Sequence, residues 1–326
     1  MSRRRFLGAT ALAAGGFMIV PRHVLGGTGY TAPSDRLNIA AIGCGGKGEV
    51  NIRLSSGVGY NPVSAAKNNI VALCDVDDKM GEGMFKLFPD ARRFRDFRVM
   101  LEQMNKDIDA VIVSTPDHTH AVAAMAAMQL GKHVYCEKPL THDPYEARML
   151  TEAAKKYKVV TQMGNQGSSG EDIRRVQEWI QSGAIGEVRE VHGWTNRPVW
   201  PQGLERPKDT PATPASIDWD LWLGTAPKRP YHPTYHPFKW RGWWDFGTGA
   251  IGDMACHLLD PAFRALKLGS PLSVEASASV YFPRDWVSAS REDGIPQASV
   301  IHYDFPAREG MPPVRLTWYD GGLMPT

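Results

Sequence analysis

Three residues of this sequence are of types and spacings that can move a proton on and off an oxygen atom. Asp253 and His257 stand four apart in Gly249–Leu268, so on a helix they share one face. A carboxylate there can hold a hydroxyl group while the imidazole takes its proton. Lys138 follows the expected strand His133–Glu137 and precedes Pro139. In a low dielectric beside other charges, a lysine at such a place is a tunable acid. Each feature has a plainer reading. Asp-x-x-x-His is more often a local ion pair, and Lys138 can pair with Glu137 at a surface. The chemical reading stands only if the fold brings the three together.

Several elements must do that. Leu37–Ile42 is a buried strand by its apolar run, and it enters Gly43-Cys44-Gly45-Gly46-Lys47-Gly48, the spacing G-x-G-x-x-G. Gly43 permits a sharp turn and Gly45 a close approach to a pyrophosphate. Gly48 lets the helix Lys47–Ser56 pack tightly with its N–H groups aimed at phosphates. The run Ile70–Cys74 ends on Asp75, which can accept from a ribose diol and repels a 2′-phosphate. Dinucleotide binding, with NAD preferred over NADP, is the expectation. Gly57–Lys67 reads as an inserted loop.

The alternation continues through a helix Lys79–Phe88, a short strand Arg92–Phe94 and a helix Phe97–Met104 capped by Asp96. The strand Asp109–Thr115 runs into the loop Thr115-Pro116-Asp117-His118-Thr119-His120, before a helix Ala121–Leu130. Next come a strand His133–Glu137, a helix Pro144–Tyr157 and a strand Val159–Met163. Such alternation builds a doubly wound parallel sheet, whose ligands sit outside the carboxyl ends of the strands. Gly43–Gly48, Asp75, Thr115 and Pro116, and Glu137–Pro139 therefore converge on one crevice. There His118 and His120 can touch the cofactor ribose, His120 alternatively capping the next helix.

Beyond Gly164 the pattern changes. A helix Glu171–Gln181 and a strand Val188–Thr195 precede Asn196–Gly247, crowded with proline and tryptophan. That stretch is expected to wall a pocket, since aromatic faces suit sugar rings and cofactors. After the long helix Gly249–Leu268, strands at Leu272–Phe282, Gln297–Phe305 and Pro313–Trp318 predict an open antiparallel sheet with one covered face. The chain stops at a glycine turn with nothing to return to, so a piece lacking the last strands is expected. The fold class is thus α/β: residues 34–163 form a Rossmann domain, and residues 164–326 an α+β domain with a large open, mostly antiparallel sheet.

Residues 1–33 are set apart as signal and linker. Ser2-Arg3-Arg4-Arg5-Phe6-Leu7 precedes an apolar stretch too short to span a bilayer, as in a twin-arginine export signal. An exported, periplasmic location and a passing contact with the twin-arginine translocon follow from that reading. The net charge of +2 argues against a nucleic-acid partner. Four cysteines without CxxC pairing read as small buried hydrophobes rather than as zinc ligands or disulfides. His232 and His236, each before proline, read as loop packing, and no metal site is expected.

The strand–GCGGKG unit, TPDHTH, CEKPL and GTGAIGDMACHLLD together resemble the glucose–fructose oxidoreductase/inositol dehydrogenase/MocA family, from about Leu37 onward. The resemblance implies His257 as acid/base, with Lys138 and Asp253 binding and polarising the reacting hydroxyl. Trp240-Arg241 would close over the nicotinamide, and oligomers would form through the C-terminal sheet. It further implies an NAD(P)-dependent oxidoreductase acting on a sugar, sugar derivative or cyclitol. The same residues would serve a glycoside-cleaving enzyme that oxidises C3 transiently, eliminates the aglycone and re-reduces the product. A non-catalytic sugar-binding protein is disfavoured by the presence of Lys138, Asp253 and His257.

Overall fold

The structure, a computed structural model, describes residues 32–58, 67–289 and 292–326. The expected export signal and most of the expected loop Gly57–Lys67 lie outside the described residues. Six parallel strands form the first sheet: β1 Asn38–Ile42, β2 Asn69–Cys74, β3 Arg92–Phe94, β4 Ala110–Val113, β5 His133–Glu137 and β6 Thr161–Gly164. Their order is β3-β2-β1-β4-β5-β6, so the chain reverses direction across the sheet between β1 and β4. That reversal opens the crevice where ligands of such sheets bind.

The helices on this sheet are α1 Lys47–Ser56, α2 Asp78–Leu87, α3 Phe97–Gln103, α4 Asp117–Gln129 and α5 Pro144–Tyr157. They start where their caps dictate. Asp77, Asp96 and Asp143 each accept a backbone N–H of the first turn, from Lys79, Arg98 and Glu146. The strands are apolar on both faces because helices cover both. Ala40, Ile42, Val111 and Val113 enter one core with α3–α5, and Ile39, Ala41, Leu73 and Ile112 enter the other with α1 and α2. The helix α4 begins at Asp117, four residues earlier than its apolar pattern indicates. The residues His118 and His120 therefore sit on its first turn and not in a loop.

A second sheet has the order β7-β10-β9-β8, from β7 Glu190–Trp194, β8 Ser273–Ala278, β9 Ser299–Phe305 and β10 Val314–Tyr319. It is mixed: β7 and β10 pair in parallel, while β10–β9 and β9–β8 are antiparallel. Three of its strands, β7, β8 and β9, are shorter than the sequence pattern predicts, and β10 is as long as predicted but shifted by one residue. Helices α6 Glu171–Gln181, α8 Gly249–Leu258 and α9 Asp260–Ala265 accompany it. The long helix expected over Gly249–Leu268 is two helices, because Pro261 lacks the N–H that an unbroken helix would need there. Leu259, Phe305, Leu316 and Trp318 form the core beneath them.

The proline- and tryptophan-rich segment contains the short helix α7 Trp219–Leu223 and a 3-10 turn, Lys239–Gly242. The segment does wall the crevice, through Trp222, Pro237, Phe238, Trp240 and Arg241, but most of its aromatic rings are core. Trp219, Trp222, Tyr235, Trp243 and Phe246 pack on one another, with Trp219 and Trp222 stacked at 4.5 Å. Trp222 and Trp240 alone among its tryptophans also line the crevice.

Candidate active site

Strand register brings the site together. Ile42 of β1 lies level with Cys74 of β2 and Val113 of β4, and Val113 lies level with Cys136 of β5. The residues just beyond these ends are Gly43, Asp75, Ser114 and Glu137, side by side along the carboxyl edge. Here a crevice of about 520 Å³ opens, lined among others by Gly43, Gly45, Gly46, Lys47, Asp75, Thr115, Pro116, Glu137, Lys138, Trp240 and Arg241.

The glycine loop is shaped for a close-lying ligand. Gly43 has φ +84°, and a Cβ on Gly48 would stand 2.0 Å from the Gly43 carbonyl oxygen. At Gly46 (φ +53°) nothing lies within 4 Å of the added carbon, so the loop faces open space. No side chain caps α1, so its N-terminus stays open to an anion, although the Gly48 N–H is already taken by the Gly45 carbonyl at 2.9 Å. Asp75 is held rigidly: Oδ2 accepts from Cys44 N at 2.8 Å and Oδ1 from Asp77 N at 3.0 Å. Burial pushes its carboxyl above the usual range, against the pull of those two N–H groups. Each oxygen keeps a lone pair for a ribose hydroxyl. These features fit the adenosine and pyrophosphate parts of a dinucleotide.

At the other end of the crevice, Lys138 Nζ donates to Asp253 Oδ1 at 2.8 Å and to the Asp253 carbonyl at 2.6 Å. Two of its three N–H groups are thereby placed and one remains. Arg241 Nε approaches the same Asp253 oxygen at 3.5 Å, and its guanidinium lies over the Trp240 ring at 4.1 Å. Asp253 thus binds a lysine from the first sheet to an arginine from the aromatic segment. It makes no ion pair with His257. His257 Nδ1 instead donates to the Gln166 carbonyl at 3.1 Å, which leaves Nε2 as the basic nitrogen. Burial, then the Lys138 charge, hold the His257 ring below its ordinary pKa, so it is neutral and ready to accept a proton.

The two histidines expected at the ribose are placed otherwise. The His118 ring lies between Trp222 and Phe246, with Nε2 donating to the Trp222 carbonyl at 3.0 Å, and it is turned out of the crevice. The His120 ring reaches the crevice wall but spends both nitrogens on carbonyls, those of Pro139 at 2.7 Å and Thr115 at 2.8 Å. Neither has a nitrogen left for a hydroxyl. The reason is the early start of α4, which turns both side chains into the protein.

Several residues of the site carry no motif. Glu137 Oε1 accepts from Asn51 Nδ2 at 2.9 Å and Gln166 Nε2 at 3.1 Å, with Lys47 Nζ at 3.9 Å. Asn51 is one turn past Gly48, a spacing that sequence inspection could have tied to the strand end. Gln166 had no such signal. Arg95 enters the crevice wall near Asp75, paired with Asp78. His236 donates from Nε2 to Asp77 Oδ2 at 2.8 Å, fastening the aromatic segment onto the first sheet.

With the geometry in place, comparison with known proteins identifies the chain. Residues 37–165 match the model of the oxidoreductase family with an NAD-binding Rossmann fold, and residues 169–291 match the model of that family's C-terminal alpha/beta domain. The chain belongs to the Gfo/Idh/MocA family. Its first domain is an NAD-binding Rossmann domain. Among curated relatives, levoglucosan dehydrogenase of Pseudarthrobacter phenanthrenivorans is 28% identical over 63% of this chain and 45% of its own length. Inositol 2-dehydrogenase of Salmonella typhimurium is 30% identical over 41% of this chain and 39% of its own. A 1-carboxy-3-chloro-3,4-dihydroxycyclohexa-1,5-diene dehydrogenase of Comamonas testosteroni is 35% identical over 72% and 49%. The chain spans about half the length, or less, of these relatives. Among solved structures, the WlbA dehydrogenase from Bordetella pertussis with NADH and UDP-GlcNAcA superposes with a TM-score of 0.58 at 19% identity, over 86% of this chain and 71% of that one. At that identity the likeness is one of fold.

Proposed function

We propose that this chain carries the active site of an NAD-dependent oxidoreductase, which transfers a hydride between the nicotinamide and a hydroxyl-bearing carbon of a sugar, sugar derivative or cyclitol. The observation that carries the reading is the Lys138–Asp253 bond at 2.8 Å, which sets a lysine of the Rossmann domain against the helix bearing His257. The named relatives, dehydrogenases of levoglucosan and inositol, support the substrate class.

Gly43, Gly45, Gly46, the N-terminus of α1 and Asp75 would hold the dinucleotide. When bound, it supplies the hydride acceptor. His257 Nε2 takes the hydroxyl proton as the carbon is oxidised, in the tautomer set by the Gln166 carbonyl. Lys138 donates its remaining N–H to the same oxygen and stabilises the charge that develops there. Asp253 holds Lys138 in place, and Arg241 with Trp240 walls the site against water. In this reading the carboxylate positions the lysine, and its contact with substrate is secondary.

The paired arginines of Ser2–Leu7 add export by the twin-arginine route in the folded state, with the cofactor aboard. The test is to incubate the purified protein and NAD with sugars and cyclitols, following NADH formation. Substrate-dependent NADH that vanishes in His257→Ala supports the proposal. Release of a free aglycone from a glycoside with no net NADH would replace it with the transient-oxidation mechanism.

A further inference from the structure

The first turn of α4 holds two buried histidines that the proton transfer at His257 does not use, and they are built differently. His118 donates from Nε2 at 3.0 Å, but its Nδ1 is 3.3 Å from the Phe246 carbonyl, which also receives the His118 amide N–H. That is the pattern of a neutral ring with one good bond. His120, 1% exposed, has carbonyl oxygens at 2.7 Å on Nδ1 and 2.8 Å on Nε2. A carbonyl oxygen only accepts, and a neutral imidazole carries only one N–H. A neutral ring here would press a lone pair against a carbonyl oxygen at bonding distance. Both contacts are hydrogen bonds only if both nitrogens are protonated.

The surroundings can hold that charge. Asp117 lies three residues earlier on the same face of α4, at the helix N-terminus where a carboxylate is favoured, and its Oδ2 accepts from Thr248 Oγ1 at 2.7 Å. We propose that His120 is a resident buried imidazolium, and that by clasping the carbonyls of Thr115 and Pro139 it positions Lys138. The backbone that carries Lys138 is thus tied to the end of β4 by two charge-assisted bonds. Around the pair stand also Cys136 of β5, Lys138, Arg241 and His118, with His142 near His118. Burial pushes the Asp117 carboxyl up, against the pull of His120 and the Thr248 hydroxyl. Burial works against the charge on His120. Cys136 raises it only as a thiolate, its S–H otherwise donating to the Leu140 carbonyl, while Asp117 and the Pro139 carbonyl favour the charge as they stand, together raising the ring to about 10. Burial drives the His118 ring down to about 4. The charged clasp is therefore complete at neutral pH and is lost as pH rises through about 10.

Nitrogen NMR of the histidine rings in the full chain, with and without NAD, tests this at about pH 8, where an unperturbed histidine is neutral. The expected result is one ring with both nitrogens protonated, whose signal disappears in His120→Gln. Asp117→Asn should move that ring's titration to lower pH. A single neutral tautomer at His120 would overturn the charge assignment whether or not any variant folds. For the positioning role, His120→Gln should lose about tenfold or more in kcat, since it sacrifices a charge-assisted bond, with NAD affinity within about twofold. Unchanged kcat, or NAD binding lost in step with kcat, would overturn it.

Discussion

Asp253→Asn isolates the bridge between the two halves of the site. The replacement keeps the shape of the side chain and removes its charge. In the native protein Oδ1 faces Lys138 Nζ at 2.8 Å and Arg241 Nε at 3.5 Å, with the lysine and aspartate side chains 13% and 11% exposed. Breaking a buried pair costs about 3–5 kcal/mol and an exposed one about 1 kcal/mol or less. This pair is close to buried, but Lys138 keeps its 2.6 Å bond to the Asp253 carbonyl, and an amide oxygen still accepts weakly. A loss of about 1–3 kcal/mol of stability is the reasonable figure, and kcat/KM should fall by about 10- to 100-fold because Lys138 is displaced. Both constants should move: kcat falls because Lys138 is no longer fixed, and KM rises because the polar end of the pocket loosens. Steady-state NADH absorbance gives both, while titration with NAD should show unchanged affinity and thermal melting an intact fold. If Asp253→Asn keeps kcat/KM within about twofold of the native value while folding normally, the bridge does not organise the site.

His257→Ala and Lys138→Ala should each lose about 10²–10⁴-fold in turnover with cofactor binding retained. Because burial and Lys138 depress the His257 pKa, kcat/KM should climb with an inflection below the ordinary histidine value and level off by neutral pH; an inflection above that value would contradict the assignment. The same depression makes the neutral ring a stabilising feature above its unfolded pKa, lost as pH falls through the folded one. Gly48→Ala would drive its Cβ to 2.0 Å from the Gly43 carbonyl, so NAD binding should collapse along with about 1–3 kcal/mol of stability, measured by calorimetry and denaturant melts. NADP should bind at least about tenfold more weakly than NAD, because Asp75 repels the added phosphate and Arg95 is already paired with Asp78; tighter NADP binding would refute this. On the proposal that the protein is exported folded, protein purified without added cofactor and then denatured should release nicotinamide dinucleotide, because no pool outside the cytoplasm would replace what was lost. An empty protein that turns over only with NAD in solution would end the retention idea and leave the oxidoreductase reading intact.

What was legible in the sequence was what depends on local pattern. Leu37–Ile42 entering three spaced glycines, Ile70–Cys74 ending on Asp75 and the β-branched run before Thr115 each declare a strand and its end. A parallel sheet then has one place to put those ends, so the crevice followed from topology. The i,i+4 spacing of Asp253 and His257 likewise placed both on one helix. Partners chosen across long separations were not legible. Which oxygen Lys138 would meet, that Asp253 would turn to Lys138 and Arg241 rather than to His257, and that Gln166 would set the histidine tautomer all depend on contacts between distant segments. His118 and His120 show the reason most plainly. Sequence placed them in a strand-end loop facing a ligand, and a helix starting four residues early turned both rings inward. There each must satisfy its nitrogens with whatever carbonyls the packed neighbours present. Hydrogen-bond satisfaction in a buried site is settled by the whole fold, and no local pattern encodes it.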